Sequence, residues 1–196
     1  GEAHWKQEVV TAGILGEVDQ AKQAATVKEQ LAKATDANKK AALEDKLAEI
    51  LNAPYLVDNV TAPEDNPYKS WIRVGGHAFF KDGRIAFSTW SGDVWIGKMA
   101  DEKLSQITWR RYATGIFHGL GLAIVNDQLY VLGRDQITRL HDRNGDGEAD
   151  FYENFNNDVQ VTSNFHEFTF DLQTGSQGNF YFLKGGPVNP ARSCGS

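Results

Sequence analysis

A short acidic stretch, Asp142 to Glu153, constrains the fold of this chain more than any other segment. Its oxygen-bearing residues recur at ligand positions 1, 3, 5, 7, 9 and 12 of a calcium-binding loop, the seventh acting through its backbone carbonyl. Gly147 takes position 6, where the backbone must turn with a positive φ. Carboxylates this close repel one another unless a cation or open water offsets their charge. The pattern therefore predicts a Ca²⁺ site with these ligands: Asp142, Asn144, Asp146, Glu148, Asp150 and Glu153.

The flanks of this loop favour a β-hairpin over a helix–loop–helix hand. Residues 136–140 and 149–155 are rich in β-branched and aromatic side chains and show no helical periodicity. A metal held by six protein ligands leaves little room for a substrate, so we expect it to be structural rather than catalytic. The alternative is a solvated Asn-Gly/Asp-Gly turn between two strands, with no ion.

Composition narrows the class of protein. The chain has 196 residues, 41% of them hydrophobic, which is enough to bury one sizeable core. Its 26 acidic and 20 basic residues give a net charge of −6 without a basic stripe, so nucleic acid is not an expected partner. No apolar run is long enough to span a bilayer, and any leader is expected to have been removed. The single cysteine, Cys194, excludes an internal disulfide.

The segment from Glu17 to Leu51 has no glycine, proline or aromatic residue and is rich in alanine, lysine and glutamate, which predicts helix. Thr35-Asp36 in its middle can cap a second helix, so we expect a helical hairpin, inserted at 17–52 after a strand or arm at 1–16. This insertion packs on a sheet or, alternatively, forms a partner-binding coiled coil. Two apolar stripes carry its buried face: Ala21, Ala25, Val27, Leu31 and Ala34, then Leu43, Leu47, Ile50 and Leu51.

Residues 53–186 are predicted to be β, with a flexible tail at 187–196. Proline-rich connectors end the helices, and glycine-rich turns separate short hydrophobic runs, a pattern typical of antiparallel sheets. The expected strands are Arg84–Thr89, Asp93–Lys98, Gln106–Tyr112, Leu122–Val125, Gln128–Leu132, Ile137–Leu140, Glu167–Leu172 and Asn179–Leu183.

A turn followed by an aromatic or aliphatic strand recurs at Asp82, Asp127 and Gln177. The spacings, 127 − 82 = 45 and 177 − 127 = 50 residues, are those of four-stranded propeller blades. A closed propeller needs at least about four blades, and fewer than three fit here. We therefore predict a mainly β chain with partial or open propeller-like antiparallel sheets, as a fragment, as a ring completed by a second copy, or as an open stack.

Several motifs carry a resemblance to a known family: residues 66–71, Ser91-Gly92-Asp93-Val94-Trp95, residues 108–111 and above all 130–155. Over about residues 53–184 the chain resembles the propeller part of planctomycete-type membrane-bound dehydrogenases, many of which also carry a c-type haem domain. That family is distantly similar to the quinoprotein glucose and sorbosone dehydrogenases. The resemblance implies a periplasmic or secreted protein of bacterial origin and a pyrroloquinoline quinone cofactor, and it does not cover residues 17–51.

Catalytic candidates are three histidines that each precede one repeat: His77, His118 and His166. If the repeats are blades, these histidines enter comparable strands and face one channel, where they act as a base or as ligands. The alternative is that they lie inert beside aromatic core residues. Hydrolase and phosphate-binding motifs are missing.

Four tryptophans either line a sugar-binding face or fill the blade cores: Trp71, Trp90, Trp95 and Trp109.

Two functions follow from the sequence. The first is a calcium-stabilised β module that binds a carbohydrate or a protein partner and derives from a larger redox protein. The second is a quinone-dependent sugar or alcohol dehydrogenase whose site is completed by oligomerisation or by further blades. The last strand, 179–183, is expected to leave an open sheet edge, which either a second copy or the helical insertion covers.

Overall fold

The structure is a computed structural model that describes residues 3–162 and 166–186. These residues form a mainly β protein with antiparallel sheets and two helices, as predicted. Residues 187–196, which include Cys194, and residues 163–165 lie outside the described part. The elements are β1 (Val9–Thr11), α1 (Gly16–Lys33), α2 (Ala37–Leu51), β2 (Val74–Phe79), β3 (Ile85–Thr89), β4 (Val94–Met99), β5 (Ile107–Ala113), β6 (Gly121–Val125), β7 (Gln128–Leu132), β8 (Ile137–His141), β9 (Phe151–Asn156), β10 (Thr169–Thr174) and β11 (Phe180–Lys184).

The strands form three sheets in chain order. The first is the meander β2–β5, with β1 added beside β5, and the second is the meander β6–β9. The third is the hairpin β10–β11. The predicted repeat corresponds to these sheets, since the turns at Asp82, Asp127 and Gln177 join the first two strands of each one. The described strands do not form a closed propeller.

Three strands of the second sheet, β6, β7 and β8, are buried on both faces, whereas its last strand, β9, is largely exposed. Successive side chains of a strand point to opposite faces, and neighbours in β6 and β7 join different hydrophobic clusters. Leu122 and Val131 pack with Phe80, Ala86 and Val94 of the first sheet. Ala123, Tyr130 and Leu132 pack instead with Leu172 of β10 and with Phe180 and Phe182 of β11. This two-sided burial explains why these strands are continuously apolar rather than alternating.

Glycines allow the first strands of the three sheets to approach one another closely. A Cβ on Gly76 of β2 would lie 2.6 Å from the backbone nitrogen of Leu122 in β6. A Cβ on Gly121 of β6 would lie 2.8 Å from the backbone carbonyl carbon of Asp171 in β10. No other residue fits at either position without moving backbone. The strand β6 therefore packs against both β2 and β10.

The strand β2 was missed by the sequence analysis. Its core is Val74-Gly75-Gly76-His77, and two adjacent glycines weaken any strand propensity that can be recognised in the sequence. The glycines are required by the close approach to β6, which is a tertiary constraint. The eight strands predicted between residues 84 and 183 are confirmed to within two residues at each end, and the strand or arm predicted at 1–16 contains the three-residue strand β1.

The helices belong to a second compact unit, residues 11–61 and 100–107, which is wider than the predicted insertion at 17–52. The helical hairpin is confirmed, and the Asp36 carboxylate caps α2 by accepting from the Lys39 backbone at 2.8 Å. The predicted stripe of α1 is confirmed in part, because Val27 and Ala34 are buried whereas Ala21 and Ala25 are exposed. Ala24, which the stripe did not include, is buried as well, so the buried positions recur at three- and seven-residue intervals.

An antiparallel bridge between Ile14 and Asn59 holds the two ends of the helical segment together, with both N–H···O distances at 2.9 Å. Replacing residues 17–51 by a short linker should therefore leave the β unit folded, because the chain on the two sides of the deleted segment is already adjacent. We expect thermal unfolding, followed by near-ultraviolet circular dichroism, to remain cooperative in the deletion variant. Loss of the cooperative transition would show that the helices are integral to the β fold.

An ion pair between a buried carboxylate and an exposed lysine ties the third sheet to the segment before it. The carboxylate of Glu167 lies 2.6 Å from the Lys184 ammonium of β11, and it also accepts from the Thr162 hydroxyl. The hydrogen bond from Lys184, followed by that from Thr162, lowers the pKa of Glu167 below its ordinary value. A lowered folded pKa means that this contribution to stability is complete above the ordinary pKa. It is lost as the pH falls through the lowered value.

Glu167→Gln should therefore lower the melting temperature at pH 7, and the difference from wild type should shrink as the pH falls through the lowered pKa. The measurement is the melting temperature across a pH series. Glu64→Gln, at an exposed carboxylate, serves as the matched control and should show no such trend. A difference between Glu167→Gln and wild type that is independent of pH would contradict the ion-pair account.

Candidate metal centre

The acidic loop joins β8 to β9 in a hairpin, as its flanks predicted. His141 pairs with Phe151 at the base of the loop, and the Asp150 backbone nitrogen donates to the His141 carbonyl at 2.8 Å. The loop is therefore a closed turn of residues 142–150 on a rigid pair of strands. Such a scaffold fixes the direction of the loop side chains before any ligand binds.

Asp142 organises the backbone of this loop. Its Oδ1 atom accepts from the backbone nitrogens of Gly145 at 2.7 Å and Asp146 at 3.2 Å, and its Oδ2 atom accepts from Gly147 at 2.9 Å. Gly145 and Gly147 have positive φ values of 77° and 86°, which side chains rarely adopt. The glycine at position 6 thus has the backbone conformation predicted for it.

Asn144 draws the remaining carboxylates together. Its Nδ2 atom donates to Asp146 Oδ2 and to Asp150 Oδ1, both at 3.0 Å. The other oxygen of Asp150 accepts from the backbone nitrogens of Arg143 at 2.8 Å and Asn144 at 3.2 Å. The side chains at positions 3, 5 and 9 therefore meet at one amide group. Within the described residues, no group of three acidic, histidine or cysteine side chains has an arrangement that holds a metal ion as it stands.

Glu153 is not brought to the loop. Its Oε2 atom lies 2.6 Å from Nε2 of His141 and 3.7 Å from Nη1 of Arg139, both on β8. Position 12 of a helical calcium hand lies on a helix that turns back over the ion. In a hairpin the same position lies along β9, opposite Arg139, and faces the neighbouring strand. The structure therefore brings the side chains at positions 3, 5 and 9 together. It bonds the carboxylate at position 1 to the loop backbone and engages position 12 elsewhere.

Glu148 has a second role that the sequence analysis missed. The prediction used only its backbone carbonyl, but its side chain is buried and accepts from the backbone nitrogens of His4, at 2.6 Å, and Trp5. The loop thereby fixes the N-terminal segment. Glutamate at position 7 of an acidic loop gives no sequence signal for this role, because the partners are backbone groups about 140 residues away.

The loop is also joined to the first sheet. The Ala149 backbone nitrogen donates to the Tyr112 carbonyl at 2.8 Å. Burial, followed by the nearby carboxylate of Asp142, raises the pKa of the Tyr112 hydroxyl to about 12, so it stays protonated near neutral pH. On β9, the Tyr152 hydroxyl accepts from the Thr114 backbone nitrogen at 3.1 Å.

The three candidate histidines lie in different environments. His77 is exposed on β2, with its ring edge-on to Phe79 at 6.4 Å. His118 precedes β6 and stacks on Trp90 at 4.2 Å, and burial followed by Arg134 lowers its pKa. His166 lies in an exposed turn before β10. The ring contacts of His77 and His118 involve different aromatic residues, and a catalytic role for the histidines stays a prediction.

The tryptophans divide between core and surface. Trp95 and Trp109 are fully buried in the first sheet, so for these two the core alternative is the one observed. Trp71 is exposed and carries the Arg73 guanidinium 3.3 Å above its ring, and Trp90 is partly exposed beside His118. Only Trp71 and Trp90 remain as candidates for a sugar-binding surface.

Comparisons with protein-family models, curated protein sequences and solved structures found no match to this chain. The resemblance to quinoprotein-type dehydrogenases therefore stays a prediction from motifs. Neither of the helices in the described residues has the length and apolar character that a bilayer crossing requires.

Removing the side chain of Glu148 should release the N-terminal segment. We expect Glu148→Ala to lower the free energy of unfolding by about 1.5–3 kcal/mol, the range for hydrogen bonds to a charged group. Trypsin should also cleave faster after Lys6. Chemical denaturation and limited proteolysis measure the two effects, with Glu44→Ala, at an exposed helical position, as the control. Unchanged stability together with unchanged cleavage would show that Glu148 does not fix this segment.

Proposed function

We propose that the chain is a calcium-stabilised β module of the propeller type, and that it works by binding rather than by catalysis. The observation that carries the proposal is the arrangement of the β8–β9 loop. Side chains at positions 1, 3, 5 and 9 lie in one turn whose backbone already has the positive φ values of a calcium loop.

The chemistry of the loop suits Ca²⁺. This ion takes six to eight oxygen ligands in a flexible geometry. Asp142, Asn144, Asp146 and Asp150 offer side-chain oxygens, the Glu148 carbonyl offers a fifth ligand position, and water supplies the rest. Without the ion, the Asn144 amide is the only described donor that bridges Asp146 and Asp150, and a dipole offsets two charges less well than a divalent cation does.

The propeller-type arrangement is supported by the packing of the sheets. The strands β6, β7 and β8 of the second sheet are buried on both faces, and Gly76 and Gly121 bring the first strands of successive sheets into backbone contact. Propeller blades have the same organisation, with four-stranded meanders packed face to face and their first strands innermost. We propose that the three sheets are two blades and the beginning of a third.

Ca²⁺ should raise the thermal stability of the protein. An ion that binds only the folded state, at 100 times its dissociation constant, adds about 2.7 kcal/mol. We expect the melting temperature to fall when a chelator is added to the wild type. We expect it to be insensitive to chelator in Asp146→Asn, because that variant loses a charged ligand at position 5.

Glu153→Gln is the matched control for the calcium experiment. It also removes one carboxylate charge, but its side chain faces His141 rather than the loop. The chelator effect should therefore persist in Glu153→Gln. An unchanged melting temperature of the wild type with and without chelator would contradict the site. If Glu153→Gln reduced the chelator-induced fall in melting temperature more than Asp146→Asn does, the result would instead favour the geometry of a helical calcium hand.

The third sheet offers the binding surface of the module. Its inner face, Phe180 and Phe182, packs on the second sheet. Its outer face carries Phe170, Tyr181 and Leu183, of which 44%, 59% and 71% are exposed, and Phe170 lies opposite Leu183 across the hairpin. An apolar outer face beside a strand whose only described partner is β10 is the condition under which sheets associate. We propose a second copy of the chain as the partner.

Leu183→Glu should shift the protein towards monomer, because it places a charge in the centre of this face. The measurement is light scattering across a dilution series, and Val18→Glu, at an exposed helical position, is the control. We expect the wild type and Val18→Glu to show a concentration-dependent dimer. A wild type that is monomeric at every concentration would contradict self-association through this sheet.

The quinone-dependent dehydrogenase is retained as the second prediction, and it rests on the resemblance alone. Carbohydrate binding likewise stays a prediction, with Trp71 as its exposed aromatic residue. Calcium stabilisation and sheet association apply to the module under either activity.

A further inference from the structure

A cavity of about 510 Å³ lies within the β unit beside the acidic loop, whose Asp142 and Gly147 form part of its lining. Its apolar wall is formed by side chains from both meanders: Phe80, Ile96, Tyr112 and Leu129. Three basic side chains line it as well: Arg84, Lys98 and Arg110. Pockets that combine an apolar wall with a few convergent polar groups are typical of small-molecule sites.

Arg110 is the unusual member of this lining. Its Nε atom is buried and has no hydrogen-bond partner. Its Nη1 atom lies against the backbone of the loop, 2.6 Å from where a Cβ on Gly147 would stand. Buried donors in proteins are nearly always paired, and an unpaired one indicates a water, an ion or a ligand as its partner. A guanidinium with donors to spare, on the wall of a cavity, is suited to bind a planar oxyanion.

The other charged groups of the cavity define what kind of anion fits. Arg84 is already engaged, with its Nε atom 2.8 Å from Asp82 and its guanidinium over the Phe80 ring. Lys98 is exposed and pairs with no described residue. The acids of the lining are Glu8 and Asp127, both exposed, and Asp142, whose carboxylate already accepts from three backbone nitrogens. These acids disfavour a multiply charged anion, so a single negative charge fits best.

We propose that this cavity binds a small organic monocarboxylate. The carboxylate is held by the guanidinium of Arg110, with Lys98 at the rim. The apolar body of the ligand lies against Phe80, Ile96 and Leu129. This site goes beyond the calcium module. Asp142 borders both sites, but Asn144, Asp146 and Asp150 do not line the cavity, so the contacts proposed for the ligand need no bound ion.

The experiment uses 1-naphthaleneacetate as the probe, with calorimetric titration of the full chain at low salt. We expect one binding site per chain. The neutral analogue 2-(1-naphthyl)ethanol lacks the carboxylate that contacts Arg110, and acetate lacks the aromatic ring that contacts the apolar wall. Each should therefore bind at least about tenfold more weakly than 1-naphthaleneacetate. The doubly charged 1-naphthyl phosphate should bind more weakly than 1-naphthaleneacetate. Tighter binding of the phosphate would overturn the assignment to a monocarboxylate.

Variants locate the site. Arg110→Gln should weaken 1-naphthaleneacetate binding at least about tenfold, the effect of losing a charge-assisted hydrogen bond. Arg73→Gln, at an arginine stacked on Trp71 outside the cavity, should bind like the wild type. Because Arg110 also packs on the loop, Thr108→Trp provides a second variant that fills the cavity without changing its charge, and it should abolish binding.

The calcium site and the carboxylate site can be tested independently of each other. Binding of 1-naphthaleneacetate should persist in chelator and in Asp146→Asn, whatever the metal site does. Absence of binding by the wild type would overturn the proposal. Equal binding of the acid and the alcohol would also overturn it, as would Arg110→Gln binding like the wild type, because either result removes the guanidinium from recognition.

Discussion

Negative charge concentrated in one hairpin turn is the constraint on which the rest of this structure depends. The Asp142 carboxylate accepts hydrogen bonds from three backbone nitrogens, and the Asn144 amide donates to both Asp146 and Asp150. The same turn is tied to the first sheet through Ala149 and to the N-terminal segment through Glu148. The proposed cation would therefore stabilise more than the turn itself, because three parts of the β unit meet there.

Burial on both faces explains the organisation of the sheets. The second sheet separates two hydrophobic clusters, so Leu122 and Ala123, adjacent in β6, serve different cores. Within the described residues, the third sheet is covered on one face, and Phe170, Tyr181 and Leu183 are exposed on the other. The same packing rule that places the second sheet thus predicts a further layer on the third. The exposed apolar face, and a strand β11 that pairs only with β10 among the described strands, are the two features on which the proposed association rests.

The sequence predicted those features that local chemistry determines. Alternation and turn residues located most of the strands, and the Asp36 cap divided the helices. Ligand spacing located the acidic loop, and the strand-like flanks of that loop indicated its hairpin. The sequence did not predict features that depend on contacts with residues far away along the chain. The glycines of β2 serve a backbone approach from β6, the buried face of α1 is centred on Ala24 rather than Ala21, and the Glu148 side chain binds backbone nitrogens near the N-terminus. Glu153 illustrates a related limit, since spacing alone cannot distinguish a helical hand from a hairpin.

Crystals grown with Ca²⁺ test the central claim most directly, through the density in the β8–β9 loop. The account predicts one ion per chain, about 2.3–2.6 Å from oxygens of Asp142, Asn144, Asp146, Asp150 and the Glu148 carbonyl. The Asn144 amide would turn its oxygen towards that ion, and Glu153 would stay on His141. A loop without an ion at millimolar Ca²⁺, with the Asn144 nitrogen still between the two carboxylates, would contradict it.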